Sequence, residues 1–225
     1  MRVCTLNRDD LPVYMSKWIV AYFSIMNVIE ALGNTDIYLI DQFMRGRILP
    51  GMRILDAGCG GGRNVWLPSR IGCDVYGIDQ NPEAISALLE NAEVQNVQIQ
   101  PSNFGVQALD NLSFDTNYFD VIICSAVLHF ASSREHFTGM LKEMVRVARP
   151  GGMIWFRMTT KEALPNLGDH ISGDVYELHD GSTRYLLDKP YLESLMAEWG
   201  LTYLDPFKSV NVSDLRSMCV VCLGC

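Results

Sequence analysis

Hydrophobic and polar positions follow two periods along this chain, and the two periods take turns. Short apolar runs bounded by acids, glycines or prolines fall near residues 53–57, 74–79, 97–100, 119–125, 153–159, 201–207 and 216–223. Their length and composition predict buried strands. Segments with helical spacing separate the early runs and predict helices over 62–70, 82–93 and 133–147, with another at 190–199. Alternating strand and helix predict an α/β fold around a parallel sheet with covered faces. Residues 1–50 read as helical. Within them, Trp18 to Ile29 is apolar and bounded by Lys17 and Glu30, and Tyr38 to Arg47 is an amphipathic piece before the Pro50-Gly51 turn. The first piece is too short to span a bilayer and reads as a buried or lid helix. Arg149-Pro150-Gly151-Gly152 is a turn into the fifth strand. Tyr176, Leu178, Tyr185 and Leu187 alternate around Asp180-Gly181, which predicts a hairpin before the 190–199 helix.

The first strand ends in Asp56 and runs at once into a turn carrying Gly58, Gly60 and Gly62. Strand, glycine turn and helix form the mouth of a nucleotide pocket, because glycine admits positive φ and close approach of a ligand to the backbone. The spacing departs from the dinucleotide pattern G-x-G-x-x-G/A, since Arg63 stands at its third position. A carboxylate at this strand end repels a pyrophosphate and suits a ligand with positive charge. S-adenosylmethionine carries an ammonium and a sulfonium beside its adenosine, and no phosphate. The second strand ends in Asp79, roughly 20 residues after the glycine turn, the spacing of a carboxylate that binds ribose hydroxyls. Asn81 then caps a helix with Pro82 in its first turn.

Four segments in order resemble the class I S-adenosylmethionine-dependent methyltransferases: ILDAGCGGGRN, YGIDQNPEAI, LSFDTNYFDVIICSAVLHF and LKEMVRVARPGGMIWF, together covering about Pro50 to Thr159. The resemblance implies a Rossmann-like seven-stranded mostly parallel sheet with helices on both faces. It implies S-adenosylmethionine as cofactor and S-adenosylhomocysteine as product. Asp56, Gly58, Cys59, Gly60 and Asn64 would hold the cofactor at the first motif, and Asp79 and Gln80 at the ribose and adenine. By its place in the family pattern, Asn103 would accept from the adenine amino group, and Phe104 would offer an N–H or an apolar face. A backbone carbonyl near Ser125 would receive the methionine ammonium. His129, at the exit of the fourth strand, is the candidate base, with a purely structural histidine as the alternative. His170, His179, Arg157, Tyr176 and Arg184 follow the fifth strand and are candidate substrate contacts.

Composition agrees with a single domain spanning 1–225: a helical cap at 1–50, a cofactor-binding core at 51–160, and a substrate-side hairpin with the last strands at 161–225. Of the 225 residues 48% are hydrophobic, enough to cover both faces of a sheet. A net charge of −8 disfavours a broad nucleic-acid footprint. The chain opens on no cleavable apolar leader, and its seven cysteines form no disulfide framework, so a cytoplasmic setting without membrane attachment is expected. Cys219, Cys222 and Cys225 have ligand-like spacing but fall on one apolar strand, where successive members cannot share a face, so no metal site is expected.

These observations predict methyl transfer from S-adenosylmethionine to a small-molecule acceptor by direct in-line displacement. The apolar N-terminal helices and the inserted hairpin would close over that acceptor. One alternative is an RNA or protein methyltransferase, the RNA case needing a basic groove lined by Arg45, Arg47, Arg63 and Arg70. Another is a cofactor-binding module without transferase activity. Asp56 and Arg63 count against a nicotinamide dehydrogenase.

Overall fold

The structure, a computed structural model, describes residues 28–225, so most of the expected Trp18 to Ile29 helix lies outside the described residues. Five strands build the parallel part of the sheet: β1 (Arg53–Ala57), β2 (Asp74–Asp79), β3 (Phe104–Val106), β4 (Phe119–Ser125) and β5 (Ala148–Thr159). A small separate sheet follows, made of β6 (Asp169–Ser172), β7 (Val175–Glu177) and β8 (Thr183–Tyr185). The chain then returns through β9 (Thr202–Tyr203), β10 (Lys208–Val212) and β11 (Arg216–Gly224). The main order is β10-β11-β5-β4-β1-β2-β3, with β9 added alongside β11. β11 is antiparallel to β5, β9 and β10, and the remaining pairs are parallel.

Alternate residues of each strand face opposite sides. Ile54, Val121, Ile123, Trp155 and Cys222 bury one face beneath Leu39 of α1 (Ile37–Met44). Leu55, Ile122, Phe156, Cys219 and Val221 bury the other beneath α4 (Arg134–Val147) and α5 (Lys189–Trp199). Cys219 and Cys222 thus belong to different cores. At the β3 edge, α2 (Trp66–Arg70) and α3 (Pro82–Val94) close a third cluster around Val75, Leu88 and Phe104. Helix starts follow local chemistry. Asn81 accepts from Glu83 N–H at 2.9 Å, and Ser133 accepts from His136 N–H at 3.2 Å.

Several boundaries move from their expected places. The strand expected at 97–100 lies at Phe104–Val106, after one 3₁₀ turn opened by Pro101. Val97 and Ile99, whose alternation suggested a strand, pack against the end of α3 instead. The helix expected from 62 begins only at Trp66, because Gly62 takes φ +91° and the Trp66 ring lies over it. The strand expected at 201–207 is cut to β9, and a further strand, β10, begins only at Lys208; both pair with β11. Pro206 offers no N–H to a ladder at the break. Its neighbour Asp205 is buried there and accepts from Arg47 at 2.7 Å and Gln42 at 3.0 Å. The 149–152 turn is absorbed into a longer β5 with a register shift opposite Phe119 and Val121. The expected hairpin is β7–β8, with β6 as a third strand.

Candidate active site

β1 pairs with β4 on one side and β2 on the other, so the chain order reverses at the carboxyl end of β1, where open α/β sheets bind ligands. A cleft of about 350 Å³ opens there, with Gly58, Asp79, Gln80, Gln107, Ser125 and Phe130 among its lining residues. The glycine turn is tied back to the sheet by Gly58 and Cys59 N–H groups donating to the Ile78 carbonyl at 2.8 and 2.9 Å. Gly58 takes φ +89°, and a Cβ there would run into Val127. The glycine is therefore demanded by the opposite wall of the cleft.

Asp79 is fixed by backbone on both sides. Its Oδ2 accepts from Gly60 N–H and its Oδ1 from Asn81 N–H, each at 2.9 Å. Each carboxylate oxygen has two lone pairs, so each keeps one acceptor position for the cleft. That is the complement of a ribose diol, which brings two hydroxyl donors. Asp56, at the end of β1, is 2% exposed, and among the described residues nothing hydrogen-bonds its carboxylate. Burial, then the charge of Asp79, push its pKa up to about 7, with Arg63 opposing. A buried carboxyl group left in this state fits a cationic ligand group and rejects an anionic one.

The residues singled out from the sequence are divided. Gly58, Asp79, Gln80 and Ser125 line the cleft, Gly60 holds Asp79, and Asp56 is buried at the end of β1. Cys59 supplies backbone only: its thiol is buried against Phe104, and burial pushes its pKa upward. Asn64 is also buried, and its Oδ1 accepts from Asp36 N–H at 3.2 Å, joining the glycine turn to the start of α1. Asn103 and Phe104 stand elsewhere. Asn103 Nδ2 donates to Asp74 Oδ1 at 3.1 Å and to the Val75 carbonyl at 3.3 Å, at the end of β2 remote from the cleft. Phe104 pairs with Gly77 inside the third core cluster. The later start of β3 causes both displacements, and it delivers Gln107 and Leu109 to the cleft in their place. Gln107 Oε1 accepts from Ser113 N–H at 2.9 Å, which leaves its Nε2 donor as the free end of the amide.

His129 sits in a 3₁₀ turn, Leu128–Phe130, against the Phe130 ring at 4.6 Å. It is 7% exposed, is not among the residues lining the cleft, and its Nδ1 has no partner among the described residues. Burial, then Arg184 and Arg216, lower its pKa to about 4. The histidine that does line the cleft is His136, whose Nδ1 accepts from Ser132 N–H at 3.1 Å, placing the neutral ring's proton on Nε2. Ala126, which follows Ser125 at the exit of the fourth strand, lines the cleft as well, and Val127, Phe130 and Met140 complete the wall that motif reading missed. Ala126 takes φ +60°, a strained turn that no residue type announces. Of the candidate substrate contacts, Arg157 alone is a register partner of Ser125. His170, Tyr176 and Arg184 lie on the small sheet and His179 in its turn. No group of three His, Cys, Asp or Glu among the described residues is placed to hold a metal ion. No described helix is long and apolar enough to cross a membrane.

The doubly covered sheet, the glycine turn and the two strand-end acids define a nucleoside-binding α/β domain. Residues 55–156 match the family model described as "Methyltransferase domain". Over that core the chain is similar to the class I S-adenosylmethionine-dependent methyltransferases, and the cofactor this similarity supports is S-adenosylmethionine. Among curated proteins, the chain is 31% identical over 108 residues to a ubiquinone biosynthesis O-methyltransferase of Coxiella burnetii. The match covers 48% of this chain and 44% of that protein, so the chain spans under half the length of the curated relatives it matches. Solved structures share the fold. A methyltransferase from Methanosarcina mazei superposes with a TM-score of 0.65 at 19% identity, covering 81% of this chain and 96% of that one. The magnesium protoporphyrin IX methyltransferase of Synechocystis PCC 6803 with bound S-adenosylhomocysteine gives 0.64 at 16%, covering 87% and 84%.

Proposed function

We propose that this chain transfers a methyl group from S-adenosylmethionine to a small-molecule acceptor by in-line displacement. The observation that carries the reading is Asp79, held by two backbone N–H groups with one acceptor position per oxygen turned to a cleft beside buried Asp56. When bound, the cofactor supplies an already activated methyl on a sulfonium. The protein's task is then to bind, orient and exclude water. Asp79 receives the ribose hydroxyls, Asp56 favours the cationic end, Gln107 Nε2 offers a donor to the base, and the Ser125–Val127 wall borders the transfer site. Orientation of this kind supplies several kcal/mol of barrier reduction. A base is needed only for an acceptor that arrives protonated, and His129, with a pKa near 4, is poorly matched to that task at neutral pH.

The small-molecule acceptor is supported by the activities for which the ubiquinone and porphyrin methyltransferases are named. The four arginines of the RNA alternative are already engaged. Arg45 and Arg47 pair with Asp205, Arg63 with Asp36, and Arg70 donates to the Ala31 and Gln95 carbonyls. In the same reading, residues 51–160 hold the cofactor and 161–225 flank the acceptor. Six free thiols among the described cysteines support a reducing, cytoplasmic setting. Titration calorimetry with S-adenosylhomocysteine and with NAD tests the ligand, and transfer of labelled methyl to phenols, thiols, amines and carboxylates tests the reaction. Binding of the homocysteine nucleoside with little binding of NAD is expected. Equal or tighter NAD binding overturns the reading.

A further inference from the structure

Arg157 lies near the end of β5 beside the cleft-lining Ser125, and its carbonyl accepts the Ala126 N–H at 2.7 Å. Alternation along β5 puts Arg157 on the same face as Trp155, under the start of α1. There its Nη1 donates to Asp36 Oδ2 at 2.9 Å, and its guanidinium carbon lies 5.6 Å from the centre of the Tyr38 ring. The same Oδ2 receives Arg63 Nη2 at 3.3 Å, while Oδ1 receives Tyr38 N–H at 3.0 Å. Asp36 is fully buried. One buried carboxylate thus serves two guanidiniums, and the cluster carries a surplus positive charge.

The hydrogen bonds are unbalanced in the same direction. Among the described residues Nη1 is the only Arg157 guanidinium nitrogen with a partner, and Nε is shielded from solvent without one. The side chain as a whole is 24% exposed, and Nε is its shielded part. Nε and Nη2 together form the side fork of a guanidinium, which pairs two parallel N–H bonds with the two oxygens of one carboxylate. Buried donors in folded proteins are nearly always satisfied, so an Nε left without a described partner needs one; Arg157 is not itself among the residues lining the cleft but stands one register position from Ser125, which is.

We infer that Arg157 is a recognition site for a carboxylate, carried either by the acceptor or by the amino-acid end of the cofactor, with Asp36 and Arg63 holding the guanidinium in place. The inference deepens the methyl-transfer reading and rests on it. It adds a cationic anchor one strand beyond the nucleoside site. If the acceptor carries the carboxylate, Arg157 selects acidic acceptors. If the cofactor carries it, Arg157 and Asp56 receive opposite charges of the same amino-acid group.

The test compares wild type with Arg157→Gln and Arg157→Lys by calorimetry. Three probes are used: S-adenosylhomocysteine, 5′-methylthioadenosine (which lacks the amino-acid end), and benzoate added to protein loaded with S-adenosylhomocysteine. A cofactor carboxylate on Arg157 predicts a loss of about tenfold or more in S-adenosylhomocysteine affinity for both variants, with methylthioadenosine unchanged. An acceptor carboxylate predicts unchanged nucleoside binding and loss of the benzoate binding seen with wild type. Melting temperature is followed throughout, and Arg157→Lys, which keeps the charge and most of the volume but not the fork, should stay folded. Equal binding of all three probes by wild type and both variants overturns the inference. So does an equal loss for every probe, methylthioadenosine included, which marks a structural role. Failure of wild type to bind either nucleoside is a different result: it removes the methyl-transfer reading and the inference with it.

Discussion

The two sides of the cleft are held by different kinds of interaction. On the β1–β2 side the ties that fix Asp79 and hold the glycine turn to the sheet are backbone to backbone or backbone to carboxylate, between residues close in the chain. Gly60 reaches Asp79 across 19 positions and Asn81 reaches it across 2. On the β4–β5 side the ties are ion pairs between distant segments. Arg157 meets Asp36 across 121 positions, and Arg134 meets Asp174 across 40. Asp174 is also held by Lys161 at 2.6 Å, and these two cations fasten the β6–β8 sheet to the domain. Their charges hold its carboxyl below the usual carboxylate range despite burial. The first side is built to present a fixed carboxylate, the second to attach distant segments of the chain to the sheet.

Changing one acid on each side should separate these roles. Asp79→Asn replaces one acceptor oxygen with a donor that faces a backbone N–H. It should weaken S-adenosylhomocysteine binding by about 3 kcal/mol, from two bonds to a charged group at roughly 1.5–3 kcal/mol each, partly offset by relaxation. It should also lower the melting temperature, because one of the two N–H groups, Gly60 or Asn81, loses its acceptor and faces a donor. Asp174→Asn should loosen the small sheet, read as faster hydrogen exchange at 169–187, while leaving nucleoside affinity within about twofold, a change too small to count as one lost hydrogen bond. If both substitutions weaken the nucleoside equally, the division between the two sides is wrong.

The same division explains what could be read beforehand. Asp56, Gly58 and Asp79 were legible because spacing along a strand–turn–helix unit fixes where they meet. Asn103 and Phe104 were misplaced because the alternation at Val97 and Ile99 imitates a strand, and only the pairing of Gly77 with Phe104 sets the true register. Gln107 follows from that register and from nothing local. The Asp36–Arg157 contact has no signature in the chain, since neither residue sits in a motif with the other. The fold was legible for a related reason: burying both faces of a parallel sheet demands apolar runs that stand out, whereas the break between β9 and β10 turns on a buried Asp205 whose partners lie on and just after α1.

The buried end of the nucleoside side should also respond to pH. Asp56 titrates near 7, and the charged or titratable groups that act on it are Asp79 and Arg63, with the neutral Cys59 thiol beside it. Its folded pKa is raised, so the folded state holds the proton more tightly than the unfolded chain. Stability from this group is present below about 4 and is lost as pH rises to about 7. A ligand ammonium favours the ionised form. Affinity for S-adenosylhomocysteine should therefore rise with pH up to about 7 and then level, with a limiting slope of about tenfold per pH unit. Methylthioadenosine, without the ammonium, should show no such slope, and Asp56→Asn should flatten it. A slope that survives in Asp56→Asn assigns the proton to another group.

The smallest effect is expected at His129, the residue that sequence alone makes most tempting as a base. Its ring is buried beside Phe130, and its pKa near 4 keeps it neutral through the neutral range. His129→Phe should leave turnover per nucleoside-binding site within about threefold between pH 6.5 and 8.5, far from the hundredfold or more that loss of a general base produces. The substitution should show itself in stability. A histidine with a lowered folded pKa is protonated more readily in the unfolded chain, so wild type loses stability as pH falls from about 6.5 towards 4. The phenylalanine variant should lose less over that interval, because no proton is taken up at this site on unfolding. Melting curves from pH 4 to 7 read this difference without any knowledge of the acceptor. Once an acceptor is in hand, a hundredfold fall in turnover at every pH with unchanged nucleoside affinity would make His129 catalytic after all. It would also move chemistry onto the β4–β5 side of the cleft, whose ties otherwise only attach distant segments to the sheet.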